Sequence, residues 1–176
     1  MSHRTFIQSS LALVVASLVA LVTPVPAGAA SLPPEDRIAL LDLISRYSHQ
    51  WDGRDAAGWV DLFTENAVIQ ASFRGKFAWK YGSNEERRKF IDGFYANAEK
   101  VGILQSRHFQ TNTLFTPQDD GTVHADTMFA VTFQHKGEPT PRLSNTGIYS
   151  DHFVRTKDGW KFQLRDILVD QEPPAE

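Results

Sequence analysis

Apolar residues in the first half of the chain recur at steps of three and four, the spacing that puts side chains on one face of an α-helix. One such series follows two prolines and predicts an amphipathic helix ending near residue 50: Ile38, Leu41, Ile44, Tyr47 and Trp51. Asp55 is suitably placed to cap a second short helix. Ser83 and Glu86 have the spacing of a capping box, which predicts a third helix over about residues 84–101.

After the third helix the period changes to two, as expected for strands with one buried face. Four long strands are predicted, over residues 106–116, 122–134, 142–154 and 160–169. Asp-Gly pairs at 120–121 and 158–159 supply the turns of two hairpins. Shorter extended segments lie before the third helix, at 67–73 and 76–82. Helices followed by an antiparallel meander predict an α+β fold, with the helices packed on one side of a curved sheet.

Residues 1–30 have the layout of a cleaved export signal. A weakly basic head is followed by an apolar run from Leu11 to Val22 and by small residues at 27–30. A helix of that run spans ~18 Å, short of the ~30 Å core of a bilayer, so cleavage is favoured over the alternative of an uncleaved anchor. We therefore expect a single mature domain over residues 31–176, exported to a bacterial periplasm or out of the cell. No stable membrane anchor is expected after cleavage, since the chain also lacks a cysteine for a lipid anchor.

Charge and histidine spacing exclude several classes of partner. Without the signal the chain has 17 basic and 21 acidic residues, and the charged stretch 85–89 alternates in sign, which predicts a solvated helix face. No basic run typical of nucleic-acid binding is present. Four histidines lie on separate predicted elements without the spacing of metal ligands: His49, His124, His135 and His152. We therefore expect no nucleic-acid partner, no metal and no cofactor.

Two residues are candidates for proton-transfer chemistry. Asp52 follows Trp51 at the end of the first helix, and since Asp55 explains the start of the second helix, Asp52 has no evident structural role. His108 is predicted to share a strand face with Gln110 and Asn112, while the phenylalanines at 109 and 115 take the other face. The alternatives are a turn aspartate and an ordinary strand histidine. An aspartate that orients an imidazole makes its second nitrogen a general base.

Three segments carry a resemblance to a known family: "EDRIALLDLISRYSHQWDGRDAAGWVDLFTENAVI", "SRHFQTN" and "DGWKFQLRDI". Together they resemble the SnoaL-like branch of the nuclear transport factor 2-like superfamily over about residues 35–169. The resemblance implies a cone-shaped α+β barrel, with three helices packed on a strongly curved, mainly antiparallel sheet that encloses one pocket. The family includes polyketide cyclases, scytalone dehydratase, lindane dehydrochlorinase, steroid isomerases, dioxygenase small subunits and binding modules, so the fold alone does not identify the function.

Within that family, "WDGRD" and "RHF" are most similar to the dehydratase and dehydrochlorinase members. The resemblance implies that Asp52 and His108 are the catalytic Asp–His pair and that Arg165, three residues after "WKF", is functional. Arg165 would stabilise negative charge or, alternatively, lie at the surface paired with Asp166 or Asp170. Ala71 lacks the hydroxyl of the dehydratase's second tyrosine, so neither known substrate is assumed.

These observations lead to one leading hypothesis and two alternatives. The first is an enzyme, a cofactor-independent lyase or isomerase acting on a small apolar or aromatic molecule. Its substrate would contact Tyr47, Trp51, Asn112 and Arg165. The alternatives are a secreted protein that binds a small molecule without turnover and a subunit that contributes only an interface. The resemblance also implies a homo-dimer or homo-trimer.

Overall fold

Three helices and six strands make up residues 31–173, the part of the chain that the computed structural model describes. The predicted export signal at 1–30 lies outside it. In chain order the elements are α1 (Pro34–Asp52), α2 (Ala56–Asp61), β1 (Phe63–Phe73), β2 (Lys76–Tyr81), α3 (Asn84–Lys100), β3 (Ile103–Pro117), β4 (Val123–His135), β5 (Arg142–Thr156) and β6 (Gly159–Val169). No helix within the described range is long and apolar enough to cross a bilayer.

The six strands form one mixed sheet in the order β2-β1-β6-β5-β4-β3. All neighbouring strands are antiparallel except β1 and β6, which are parallel. Strands β2 and β3 are the edges, so the sheet is open rather than closed into a barrel. The predicted α+β fold, with three helices packed on a mainly antiparallel sheet, is confirmed.

Side chains cap the second and third helices as the sequence predicts. The Asp55 carboxylate accepts a hydrogen bond from the Gly58 N–H at 2.9 Å, at the start of α2. The Ser83 hydroxyl accepts one from the Glu86 N–H at 3.2 Å, at the start of α3. The Glu86 carboxylate in turn accepts from the Gly82 N–H at 2.7 Å. These bonds satisfy backbone donors that have no partner within the helix.

Helix α1 buries a different face from the predicted one in its first two turns. Ile38 is 61% exposed and Leu41 is 40% exposed. The buried residues of α1 are Leu40, Leu43, Ile44, Tyr47 and Trp51. Both series follow helical spacing, so the sequence contains two overlapping apolar stripes. Packing against the sheet and α2 selects the second stripe, and the prediction for Ile38 and Leu41 was wrong.

Arg87 is also buried, although the charged stretch around it was predicted to be a solvated helix face. Its guanidinium donates to the carbonyl of Ala67, to that of Thr64 at 2.7 Å and to that of Glu65 at 3.1 Å. These carbonyls lie where the pairing of β1 with β6 shifts register. Arg87 therefore satisfies acceptors that the sheet leaves unpaired, and it joins α3 to β1.

A bulge in β3 reverses which residues of that strand face the interior. The pairing with β4 shifts between Thr111 and Leu114, and Asn112 has a left-handed backbone conformation with φ of 54°. Before the bulge His108 faces inward and Phe109 is 56% exposed. After it Phe115 packs against the core. The predicted row of His108, Gln110 and Asn112 is therefore broken, since a β-bulge inserts one extra residue.

The outer face of the sheet carries a row of exposed apolar side chains. Met128 of β4 pairs with Ile148 of β5, which pairs with Leu168 of β6, and all three point away from the helices. Phe109, Leu114 and Leu143 flank this outer-face apolar row.

Candidate functional site

Asp52 and His108 lie in direct contact at the junction of α1 and β3. Asp52 is the last residue of α1, and its Oδ1 lies 2.7 Å from Nδ1 of His108. Its Oδ2 accepts a hydrogen bond from the backbone N–H of His108 at 2.8 Å. The Asp52 and His108 side chains are only 9% and 7% exposed. Contacts to both oxygens fix the orientation of the carboxylate, which in turn fixes that of the imidazole.

A third donor, which the sequence did not reveal, contacts the same carboxylate. The hydroxyl of Ser106 donates to Oδ1 of Asp52 at 2.7 Å. Burial raises the pKa of Asp52, but the hydrogen bonds and charge of His108, together with the Ser106 hydroxyl, outweigh burial and hold that pKa below its usual value. Asp52 is therefore an anion at neutral pH.

Beside His108 lies a cavity of about 250 Å³ with mainly apolar and aromatic walls. Its lining consists of Tyr47, Trp51, Ala71, Phe73, Trp79, Phe90, Phe94, His108, Phe129, Val131, Phe133, Asn145, Tyr149, Ile167 and Val169. The His108 ring packs edge-on against Trp51, with ring centroids 5.4 Å apart. Because Asp52 engages Nδ1, Nε2 is the ring nitrogen that remains for a molecule in the cavity.

Asn145 is a polar member of the cavity wall that the sequence analysis did not single out. It lies on β5 opposite Val131 of β4, an inward position that could be recognised only from the strand register. Two residues on, Gly147 leaves no room for a side chain, since an added Cβ would lie 2.1 Å from the Leu168 carbonyl oxygen. Desolvation raises the pKa of the wall tyrosines Tyr47 and Tyr149, so both keep their hydroxyl protons at neutral pH.

Arg165 is fully buried and does not line the cavity. Its guanidinium forms a two-point ion pair with Asp151, through Nε at 2.8 Å and Nη2 at 2.7 Å. Desolvation lowers the pKa of Arg165, but the charge and hydrogen bonds of Asp151 outweigh it and raise that pKa. Desolvation also raises the pKa of Asp151, against the opposing effect of Arg165. The two-point contact indicates that both groups are charged. The alternative of a surface arginine is wrong, because Arg165 is buried and its guanidinium pairs with Asp151, while Asp166 accepts from Gln70 and Asp170 from Thr146.

Three aromatic rings surround the Arg165 guanidinium below the cavity. Its central carbon lies 3.9 Å from the ring centroid of Tyr47 and 4.1 Å from that of Tyr149. The Phe162 ring is at 4.4 Å. Because both tyrosines also line the cavity, the ion pair supports the cavity wall from behind.

The remaining candidates divide between the cavity and the surface. Tyr47 and Trp51 line the cavity beside His108, and Asp52 lies directly behind the imidazole. Asn112 lies outside the cavity. It borders a surface groove between α1 and β3, and its amide donates to the sulfur of Met128 at 3.4 Å, on the outer face of the sheet. Over residues 31–173 there is no cluster of three or more His, Cys, Asp or Glu side chains suited to a metal ion.

Comparisons with known proteins give one family match and several structural neighbours. The model of a SnoaL-like domain matches residues 34–166. ActVI-ORFA from Streptomyces coelicolor is 22% identical with a TM-score of 0.70, and the match covers 81% of this chain and all of that one. A candidate aromatic ring hydroxylase from Novosphingobium aromaticivorans is 26% identical with a TM-score of 0.66, covering 82% and 94%.

A more distant neighbour is a candidate scytalone dehydratase from Novosphingobium aromaticivorans. It is 15% identical with a TM-score of 0.64, and the match covers 81% of this chain and 96% of that one. At that identity the likeness shows the fold alone. A comparison with curated protein sequences finds no match.

Proposed function

Because the chain belongs to the family of SnoaL-like domains, we propose that it is a cofactor-independent lyase or isomerase in which Asp52 and His108 transfer a proton. The observation that carries this proposal is the 2.7 Å contact between Asp52 Oδ1 and His108 Nδ1, at the wall of a largely apolar cavity. An imidazole held in this way has one tautomer and one free nitrogen, as a general base requires.

The proposed reaction begins with proton abstraction from carbon. Nε2 of His108 takes a proton from a carbon next to a carbonyl or a leaving group. The electron pair of the broken C–H bond either forms a double bond as the leaving group departs or moves onto the carbonyl oxygen. The imidazolium that results is stabilised by Asp52, which stays ionised. In an isomerase the same proton returns to a different carbon; in a lyase it passes to the leaving group or to solvent.

Size and lining of the cavity define the proposed substrate class. An apolar protein cavity of about 150 Å³ holds benzene, so about 250 Å³ accommodates a molecule with about ten ring atoms. The walls are rich in aromatic rings, and Asn145 offers an amide to a carbonyl or hydroxyl group. We therefore propose a flat, mainly apolar substrate of two fused rings with one or two oxygen substituents. The name of the ring-hydroxylase neighbour supports an aromatic ligand.

Arg165 has an indirect role in this proposal. Asp151 neutralises its charge and the cavity lining does not include it, so it is poorly suited to stabilising an anion of the substrate. Instead, Arg165 holds Tyr47 and Tyr149 in position. Tyr47 in turn contacts the His108 ring edge-on, with ring centroids 6.2 Å apart. Arg165 therefore influences the position of His108 through Tyr47.

The outer-face apolar row is the basis for a proposed homo-dimer. Its three members and the three flanking residues, each between 37% and 72% exposed, leave on the order of 500 Å² of apolar surface. That area matches the apolar share of the ~800 Å² that each partner buries in a stable interface. Asp126 and Arg107 lie on opposite sides of the row. A two-fold axis along the row therefore places Asp126 of each copy on the same side as the oppositely charged Arg107 of the other copy. The proposed occupant is therefore a second copy, with a homo-trimer as the alternative outcome.

Export completes the proposal. The order of basic, apolar and small residues over 1–30 supports cleavage and release into a bacterial periplasm or the medium. The mature domain would then act on a molecule that occurs outside the cytoplasm.

Mass spectrometry of small molecules that co-purify with the mature protein tests the function. We expect a bicyclic aromatic compound, which the wild-type protein then converts and the His108→Ala variant does not. A ligand that binds and is never converted would favour the non-catalytic binding protein. Purification without a ligand and no conversion of bicyclic ketones or alcohols would favour an interface subunit.

A further inference from the structure

We infer that Ser106 is a positioning residue that fixes the Asp52 carboxylate beneath His108. The inference rests on the proposed function for its catalytic meaning, but its structural content can be measured without a substrate. Ser106 and His108 are separated by one residue on β3, so both side chains point to the same face of the sheet. The carboxylate of Asp52 reaches from α1 to contact both.

The two oxygens of the Asp52 carboxylate differ in their contacts, and this difference gives Ser106 its positioning role. Oδ2 has one donor, the backbone N–H of His108 at 2.8 Å. Oδ1 receives the Ser106 hydroxyl and faces Nδ1 of His108, both at 2.7 Å. The His108 backbone N–H anchors Oδ2, but without Ser106 the imidazole alone would hold Oδ1, and the carboxylate could then turn about its Cβ–Cγ bond as the imidazole moves. The Ser106 hydroxyl prevents this rotation, because it holds Oδ1 from a second direction.

The same hydrogen bond also affects the charge on Oδ1. A hydroxyl that donates to a carboxylate oxygen stabilises the ionised form and makes that oxygen a weaker proton acceptor. When His108 becomes an imidazolium, its Nδ1 proton lies between the imidazole and Oδ1. Donation from Ser106 keeps this proton on His108, so that Asp52 remains an anion. Ser106 is 7% exposed, so water does not readily replace its hydroxyl.

Four other charged or titratable side chains surround Asp52, and a substitution of Ser106 replaces none of them. His49 of α1 and Arg107 of β3 share a surface groove with the carboxylate. Arg54, in the turn after α1, and Tyr95 of α3 line a second, smaller cleft together with Asp52. A difference between Ser106 variants can therefore be assigned to the hydroxyl itself.

The test compares Ser106→Ala with the isosteric pair Ser106→Thr and Ser106→Val. Threonine keeps the hydroxyl and valine replaces it with a methyl group of the same shape, so a loss of packing affects both alike. The control is Ser45→Ala, since the Ser45 hydroxyl donates to the Leu41 carbonyl within α1 at 2.8 Å. NMR would follow the Nδ1–H signal of His108 and the carboxyl carbon of Asp52 through a pH titration.

We expect Ser106→Ala and Ser106→Val to move the Asp52 titration to higher pH and to speed the exchange of the Nδ1 proton with solvent. Ser106→Thr and Ser45→Ala should resemble the wild-type protein. Identical titrations and exchange rates in the threonine and valine variants would overturn the inference, even if Ser106→Ala does not fold. An active His108→Ala variant would instead refute the proposed function and leave the role of Ser106 in orienting Asp52 intact.

Discussion

Arg165 and Asp151 form a two-point ion pair in which both side chains are completely inaccessible to water. Burying two charges is costly, and the pair is tolerated because two hydrogen bonds connect it and three aromatic rings surround the guanidinium. Removing one partner leaves the other charge buried without compensation. The stability of the cavity wall therefore depends on the Asp151 carboxylate.

Asp151→Asn should lower the free energy of unfolding by about 3–5 kcal/mol, the usual cost of breaking a buried ion pair. Asp166→Asn on β6 is the matched control. That half-buried carboxylate accepts a hydrogen bond from the Gln70 amide at 3.1 Å, and its replacement should lower the free energy of unfolding by less than about 1 kcal/mol. Urea denaturation measures both. A loss below about 1 kcal/mol for Asp151→Asn would mean that Arg165 is neutral or solvated.

Asp52→Asn and His108→Ala should each reduce turnover by about 10²–10⁴-fold, the usual contribution of a positioned proton-transfer group. The asparagine keeps the size of the side chain but removes the charge that stabilises an imidazolium. The double variant should be little slower than the slower single one, because residues that act as a unit are not additive. The measurement is a double-mutant cycle on the substrate identified by co-purification, with thermal melts as a folding control. Additive losses would contradict a coupled pair.

The lowered pKa of Asp52 predicts how stability responds to acid. A carboxyl whose pKa is lower in the folded state than in the unfolded state, about 3.9, stabilises the fold above that unfolded value. The contribution is lost as the pH falls through the folded pKa. The stability difference between wild type and Asp52→Asn should therefore narrow as the pH falls below about 4. Urea denaturation at a series of pH values checks this, and a constant difference down to pH 2.5 would show that Asp52 is not stabilised as an anion.

Ile148→Lys should convert the proposed dimer into a monomer, because it buries a charge at the centre of the outer-face apolar row. Ile38→Lys is the matched control: Ile38 is 61% exposed on α1, outside that row, and the variant should assemble like wild type. Sedimentation velocity at several concentrations measures the mass. A monomeric wild-type protein, or an Ile148→Lys variant of unchanged mass, would exclude this interface.

Exported protein should begin at Ala30 or Ser31, because Ala27 and Ala29 supply the small residues that a signal peptidase needs. N-terminal sequencing of protein from the periplasm or medium identifies the first residue. Recovery of chains that retain the run from Leu11 to Val22 would indicate an anchored protein instead.

The predictable features of this protein are those set by local periodicity. Helix caps at Asp55 and Ser83 and the strand pattern were evident because each depends on residues close in sequence. Asp52 and His108 are 56 positions apart, and only the resemblance to SnoaL-like proteins suggested that they pair. Their contact is observed, whereas their catalytic role remains a prediction.

Other features could not be predicted, because they depend on which strands become neighbours. Asp151 meets Arg165 only through the register of β5 and β6, and Asn145 enters the cavity only through that of β4 and β5. Arg87 looked like one more charge on a solvated helix. Its burial follows from unpaired carbonyls on β1, which no local pattern reveals.

The bulge at Asn112 has a consequence for insertions and deletions in this fold. From Thr111 to Leu114 the strand β3 takes three residue steps, whereas its partner β4 takes two, from Met128 to Asp126. One residue of β3 is therefore surplus to the pairing. A chain lacking Asn112 could keep the same partner for every remaining residue of the strand and would lose a left-handed backbone conformation. Homologues with one residue fewer at this point are thus compatible with the same cavity, and an alignment gap here need not mark a change of fold.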